Sequence, residues 1–287
     1  MLRRTEGIVL RTFPFGEADL IVTFLTSDFG LTRAFAKSPR KIGSRFGSSL
    51  EPLTCVRLSI WGKEEAALPK LTQADIVRSF QTIRDNFMVF LEVSDIVELT
   101  LNLLPEREAN GKIYALLSNT LGALELLLSR KNSRPNSARK ANGGADRGEG
   151  MPDAVAVLMN QYRAKVLFFA GFAPKLDACG RCGEQGSRFF VSEGTVLCEV
   201  CAESADSPLA VSGALIALYR DLLTWDTSMV QRIKPSKVLN RELSELLRLH
   251  VRTILAKPLN AEAFLCAASG KISLSLKNNE RIMSEEL

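Results

Sequence analysis

Four of the six cysteines fall within 23 residues and form two closely spaced pairs. Cys179 and Cys182 enclose two residues, Cys198 and Cys201 enclose two more, and fifteen residues separate the pairs. This spacing is typical of a structural zinc site, in which four thiolates complete a tetrahedral shell. Because a closed shell leaves no position for a substrate, the pattern argues against catalysis at the metal. We therefore expect one structural Zn²⁺.

Other uses of paired cysteines fit less well. Unrelated free thiols rarely show two such spacings, and a redox C-x-x-C motif usually stands alone beside a βαβ unit. A nucleobase deaminase needs an additional His/Cys-x-Glu partner and an open zinc position, and no segment of the sequence supplies that partner. The single histidine, His250, excludes a two-histidine metal site. It falls on the apolar face of a predicted helix, which favours a core or interface residue over a functional one.

Residues 30–50 contain several basic side chains and no acidic residue before Glu51. Phe35 and Phe46 are interleaved with them, and Phe29 precedes them. Cations along a groove together with stacking rings are what single-strand binding on an oligonucleotide-binding (OB) barrel requires. A solvated basic loop with core phenylalanines is the alternative, and the pattern leaves both open. The candidate DNA-binding residues are Arg11, Arg33, Lys37, Arg40, Lys41 and Arg45.

A second basic cluster lies near the end of the chain. It fits a surface for a second nucleic-acid strand or for an acidic peptide. It also fits an exposed helix face whose long side chains cover apolar surface. The residues of this candidate surface are Arg232, Lys234, Lys237, Arg241, Arg248 and Arg252.

The first eighty residues contain five short apolar, β-branched runs separated by turn signals. They cover residues 7–10, 20–26, 31–36, 53–61 and 68–77. Five strands of this length predict an OB barrel. Helical periodicity follows in residues 85–104, 112–128, 154–172, 213–223 and 239–255. We expect Asp153 and Ser212 to cap two of these helices, and Glu92, Asp95 and Glu98 to lie on a solvated face.

These elements predict an α+β protein with an N-terminal OB barrel, followed by a helical domain with an inserted Cys₄ zinc ribbon. The predicted boundaries are 1–80 for the barrel, 81–175 and 205–270 for the helical domain, 176–204 for the zinc module and 271–287 for a flexible tail. Residues 129–153 are polar and predict a disordered loop. The 287 residues carry a net charge of +5. No stretch of about 18 apolar residues and no secretory signal are present, so we expect no membrane association.

The chain resembles the bacterial RecO family of recombination mediators. The resemblance is carried by residues 6–11 (EGIVLR), 15–20 (FGEADL), 37–41 (KSPRK), 44–47 (SRFG) and 171–177 (GFAPKLD). It is colinear and covers nearly the whole chain. It implies an OB barrel, a helical domain and an inserted zinc ribbon whose ligands are the four paired cysteines. It also places the basic residues 33–45 in the DNA-binding barrel.

The resemblance implies a protein that is not an enzyme. Such a mediator binds single- and double-stranded DNA, anneals complementary strands, and acts in the bacterial cytoplasm at the nucleoid. Its implied partners are RecR, in many bacteria RecF, and the C-terminal tail of single-stranded-DNA-binding protein (SSB), from whose strands RecA is loaded. The sequence contains no P-loop for nucleotide hydrolysis. A nuclease or zinc hydrolase and a zinc-ribbon RNA- or ribosome-binding protein are the alternatives.

Overall fold

The computed structural model describes residues 1–41, 43–63, 68–132, 152–202 and 208–260. The chain begins with five strands, which are β1 (Leu2–Phe15), β2 (Asp19–Thr26), β3 (Gly30–Ala36), β4 (Cys55–Trp61) and β5 (Lys70–Arg78). They close into a barrel in the order β1-β2-β3-β5-β4, with β3 and β5 parallel. This topology confirms the predicted OB barrel. Strand β1 is longer than predicted, because the exposed Arg11 lies on the outer face of the barrel and does not interrupt the strand.

Alternating side chains give the barrel two apolar faces. Val22 and Phe24 fill its interior, whereas Leu25 and Leu31 point outward and pack into the core of the helical domain. Gly30 allows this close docking, since it has a φ of 63° and a Cβ here would overlap the carbonyl group of Glu108. The barrel and the helices are therefore in direct contact.

Among the described residues, six named α-helices form the rest of the main core. They are α1 (Gln81–Arg84), α2 (Phe87–Leu103), α3 (Gly111–Asn132), α4 (Asp153–Phe169), α5 (Gly213–Thr224) and α6 (Lys237–Leu255). Helix α4 is central and packs against α2, α3, α5 and α6. A short 3₁₀ helix, Val230–Arg232, precedes α6.

The helix ends confirm one predicted cap and correct another. The Ser212 side chain accepts a hydrogen bond from the backbone N–H of Leu215, as predicted. Asp153 is instead the first residue of α4 and follows Pro152, so the prediction that it caps the helix is wrong. Helix α3 continues to Asn132, beyond the predicted end at residue 128. The rest of the predicted loop, residues 133–151, and the predicted tail lie outside the described residues.

The acidic residues of α2 do not form a solvated face, and that expectation is wrong. Glu92 and Asp95 are buried, and Arg163 of α4 reaches both with N–O distances of 2.8 and 2.7 Å. Arg248 of α6 adds a second contact to Glu92 at 2.8 Å. Glu98, also buried, accepts hydrogen bonds from the backbone and side-chain N–H groups of Asn260. These carboxylates are buried because cationic or amide partners on other elements compensate them.

The cysteine module is a small three-stranded sheet between α4 and α5. Its strands are β6 (Arg188–Phe190), β7 (Thr195–Leu197) and β8 (Leu209–Ala210), in the order β7-β6-β8. Phe189 and Val196 pack into the main core, whereas Cys179, Phe190 and Leu197 form a separate small cluster. Such a small cluster cannot offset the cost of ordering the module by itself.

Candidate metal centre and nucleic-acid interface

The four predicted metal ligands come together at one point. The Sγ atoms of Cys179, Cys182, Cys198 and Cys201 all lie within 4.8 Å of one another, and those of Cys182 and Cys198 are 3.6 Å apart. Sulfurs at the corners of a Zn–S tetrahedron with 2.3 Å bonds would be roughly 3.8 Å apart. Gly183, with a φ of 82°, closes the turn after the first pair. The cluster therefore has the dimensions of a four-thiolate metal site.

The thiols of the cluster differ in acidity. Backbone N–H groups of Cys182 and Cys198 lower the pKa of the Cys179 thiol to about 6, which favours its thiolate form. Hydrogen bonding among the sulfurs of Cys182, Cys198 and Cys201 raises the pKa of Cys201 to about 12. A divalent cation among the four sulfurs would favour the thiolate form of each.

His250 lies at the contact between the cysteine module and α6. Its ring is buried, packs edge-on against Phe189 with a centroid distance of 5.8 Å, and leaves Nε2 2.8 Å from the carbonyl oxygen of Phe172. Gly194 of the module also contacts the ring, because a Cβ there would come within 2.9 Å of it. Burial lowers the pKa of His250, so the neutral ring is favoured. The residue is therefore part of an interface, one of the two interpretations that the sequence favoured.

An aromatic and basic surface covers the outside of β1, β2 and β3. In the strand register Arg11, Thr23 and Arg33 form one cross-strand row, and the next row contains Phe13 and Phe35 on either side of Ile21. Phe15 packs edge-on against Phe35 at 5.9 Å. Phe13 and Phe15 are 65% and 52% exposed. We call the outer surface formed by Arg11, Phe13, Phe15, Arg33 and Phe35 the barrel face.

A basic groove adjoins the barrel face. It has a volume of about 450 Å³, and we call it the barrel groove. Its cationic side chains are those of Lys37, Lys41, Arg45 and Lys70. Lys70 of β5 pairs directly with Phe35 in the parallel register, so the groove and the barrel face are continuous. No carboxylate is among the described residues that line it. An anionic chain along this path would meet cations and rings together.

The structure separates the sequence-predicted residues by environment. Phe46 is a buried core residue of the barrel, and Phe29 lies half-buried beneath the Arg3 guanidinium, so only Phe35 of the three predicted rings is on the barrel face. Arg33 is exposed but forms an ion pair with Glu106 at 2.8 Å. Arg40 is exposed next to the groove.

Sequence reasoning missed Phe13, Phe15 and Lys70. The alternation of Arg11, Phe13 and Phe15 along β1 was the available signal for the two rings, since residues two apart share a face. Lys70 had no local signal, because only the barrel closure brings β5 next to β3.

The second basic cluster is not one continuous surface. Arg248 turns inward to Glu92, and the Lys237 ammonium lies 3.8 Å from a carboxylate oxygen of Asp153. Arg232 instead lines a groove with residues of β5 and α3. Lys234, Arg241 and Arg252 are exposed.

Barrel, helical core and four-cysteine module define a multidomain OB-fold protein whose insert could hold a metal ion. Two family models match the chain, "Recombination protein O N terminal" over residues 1–80 and "Recombination protein O C terminal" over residues 149–263. Three relatives, each named DNA repair protein RecO, are similar over most of their length. The relative from Thermodesulfovibrio yellowstonii is 37% identical over 88% of this chain and 92% of its own. That from Nocardioides sp. is 34% identical over 83% and 91%, and that from Frankia casuarinae is 33% identical over 79% and 84%.

The chain belongs to the RecO family of DNA repair proteins. The first matched segment coincides with the barrel, and the second includes the cysteine module and helices α4 to α6. In the described part of the chain, no helix combines the length and the apolar character that a membrane crossing requires.

Proposed function

We propose that this protein is a recombination mediator that binds single- and double-stranded DNA and anneals complementary strands. With RecR, and with RecF where present, it would help to load RecA onto strands coated by SSB, whose C-terminal tail it would contact. It would act in the bacterial cytoplasm at the nucleoid. Membership in the RecO family supports this role.

The observation that carries the DNA-binding proposal is the continuity of the barrel face with the barrel groove. Exposed rings at Phe13 and Phe15 offer stacking surfaces for bases, and Lys37, Lys41 and Arg45 offer cations for phosphates. Stacking tolerates any base and phosphate contacts carry no sequence information, so binding should be largely independent of sequence.

We propose that the four-cysteine centre holds one Zn²⁺ in a structural role. Four sulfurs within 4.8 Å of one another suit a soft, tetrahedral ion. Zinc would link the two cysteine turns across a module with very little core of its own. The cation would also remove the competition among the four thiols for protons.

We propose that the protein makes and breaks no covalent bond. Glu92 and Asp95, which a carboxylate nuclease would need in an open cleft, are buried against Arg163. Annealing needs only that two strands are held close together, which raises their effective concentration.

An annealing assay tests the proposal. Two complementary labelled DNA strands are mixed with the purified protein, without nucleotide, and pairing is followed by fluorescence. We expect faster pairing than without protein and weaker DNA binding at higher salt. No acceleration would contradict the proposal. Strong preference for RNA over DNA of the same sequence would favour the alternative of an RNA-binding protein.

A further inference from the structure

Three arginines from distant parts of the chain line one groove. Arg78 ends β5, Arg130 lies in the last turns of α3, and Arg232 ends the 3₁₀ helix. All three line a groove of about 660 Å³ together with Ser118 and Asn119 of α3. We call the set Arg78, Arg130 and Arg232 the arginine groove. It shares no residue with the barrel face or the barrel groove.

Arg78 is held in place at this site. Its guanidinium makes two contacts with Glu125, at 2.7 and 2.6 Å, and lies 4.8 Å from the ring centroid of Phe80. Gly122 in the middle of α3 makes room for it, since a Cβ there would come within 3.2 Å of Arg78 Nη1. A glycine inside a helix costs stability. Gly122 therefore allows the guanidinium of Arg78 to lie directly against α3.

The other two arginines are exposed, and within the described residues neither has a carboxylate partner. One carboxylate, Asp226, also lines the groove. It already accepts hydrogen bonds from the backbone N–H and the hydroxyl of Ser228, at 2.9 and 2.7 Å. Counting Asp226 and Glu125 against three guanidiniums leaves the groove positive. An excess of one positive charge, together with two guanidiniums that are not ion-paired among the described residues, favours an anion in the groove.

The lining indicates which anion fits. Arginine guanidiniums bind phosphate oxygens in pairs, and the hydroxyl of Ser118 and the amide of Asn119 add neutral donors. No aromatic side chain is among the described residues that line the groove, in contrast to the barrel face. A strand bound here would be held by its phosphates. Its bases would not stack on aromatic side chains and would be free to pair.

We infer that the arginine groove binds the phosphodiester backbone of a second nucleic-acid strand, or of a duplex, while the barrel face binds the first strand. This inference rests on the proposed function and assigns a site to the second strand. Of the second basic cluster that the sequence offered as a candidate surface, only Arg232 lies in the groove.

The test compares two double variants for binding of a labelled 20-base-pair duplex and of a labelled single strand. The groove variant carries Arg130→Glu and Arg232→Glu, and the matched control carries Lys234→Glu and Arg241→Glu, two exposed cations outside the groove. We expect the groove variant to bind duplex about tenfold more weakly near 0.1 M salt, with a salt slope reduced by roughly 1.8 because two phosphates are no longer neutralised. The control should bind duplex like the unmodified protein. Single-strand binding on the barrel face should remain in both.

Several results would overturn the inference. These are unchanged duplex binding and slope in the groove variant, an equal loss in the control, or displacement of the duplex by inorganic phosphate at equal phosphate concentration. The inference would also be overturned if the groove variant lost binding to an aspartate-rich peptide but kept its duplex binding, because the groove would then be a peptide site. If the charge-reversed groove variant unfolds, the neutral variant with Arg130→Gln and Arg232→Gln takes its place in the same test. Failure of the unmodified protein to bind either DNA would instead contradict the proposed function.

Discussion

The four sulfurs of the cysteine cluster lie close enough together to hold one divalent cation between them. We therefore expect Cys179→Ser with Cys182→Ser to lose zinc and to lower the melting temperature, because the module has almost no core of its own. Metal content by mass spectrometry and thermal unfolding measure both effects. Cys55→Ser, which changes a buried cysteine of β4 outside the module, should keep one zinc per chain. A zinc-free double variant with an unchanged melting temperature would contradict the structural role.

The contributions of stacking and of charge to strand binding on the barrel can be measured separately. Only the binding of phosphates by cations releases counterions, so only the charge contribution changes with salt. Replacing Lys37, Lys41 and Arg45 by Glu should weaken single-strand binding and reduce its salt slope by about 0.7 for each phosphate that is no longer neutralised. Phe13→Ala with Phe15→Ala should weaken binding by about 1–3 kcal/mol for each base no longer stacked, with the slope unchanged. Fluorescence anisotropy over a salt series measures both. Unchanged binding in the two variants would place the strand elsewhere.

At the scale of elements, Arg163 connects α4 to α2 inside the helical core. Its side chain is 3% exposed and forms ion pairs with both Glu92 and Asp95. Arg163→Met should cost about 3–5 kcal/mol of unfolding free energy, because it leaves two buried carboxylates without this partner. Arg220→Ala, which removes an exposed pair with Asp177, should cost less than about 1 kcal/mol. Chemical denaturation measures the difference, and similar costs for both variants would contradict this account.

The attachment of the cysteine module to α6 should depend on pH through His250. Burial lowers the pKa of His250 below its ordinary value of 6.5, so the unfolded chain binds more protons than the folded protein as the pH falls through this range. The contribution of the neutral ring to stability is therefore present above the unfolded pKa and is lost as the pH falls through it. His250→Gln should show a smaller loss of stability between about pH 7.5 and pH 5.5. Identical pH profiles for the two proteins would refute the assignment.

The elements were largely predictable because their signals are local. Apolar, β-branched runs between turn signals predicted the strands of the barrel, and helical periodicity predicted the long helices. Cysteine spacing predicted that the four thiols come together. The errors concern partners that are distant in sequence. Glu92 reads as a solvated residue until Arg163 is known to face it, and Arg232 belongs with Arg78 and Arg130 only after folding. Whether a charged residue is buried depends on its partners, and helical periodicity cannot identify partners that are distant in sequence.

At the scale of the whole molecule, the barrel docks closely on the helices, and the protein presents separate cationic surfaces. The backbone approach at Gly30 and the packing of Leu25 and Leu31 fix the barrel against the helical core. The barrel face combines rings with cations, whereas the arginine groove offers guanidiniums without rings among its described lining residues. A strand on each surface would be held near the other without any bond-making chemistry.

Annealing of strands already coated with SSB tests this account most directly. Complementary labelled strands are coated separately with SSB and mixed with the protein in the absence of ATP, and pairing is followed by fluorescence. We predict faster pairing with the unmodified protein, and little acceleration with the barrel variant in which Lys37, Lys41 and Arg45 are replaced by Glu. No acceleration by a protein that retains its zinc and still binds naked DNA would contradict the mediator role and leave a general nucleic-acid-binding protein.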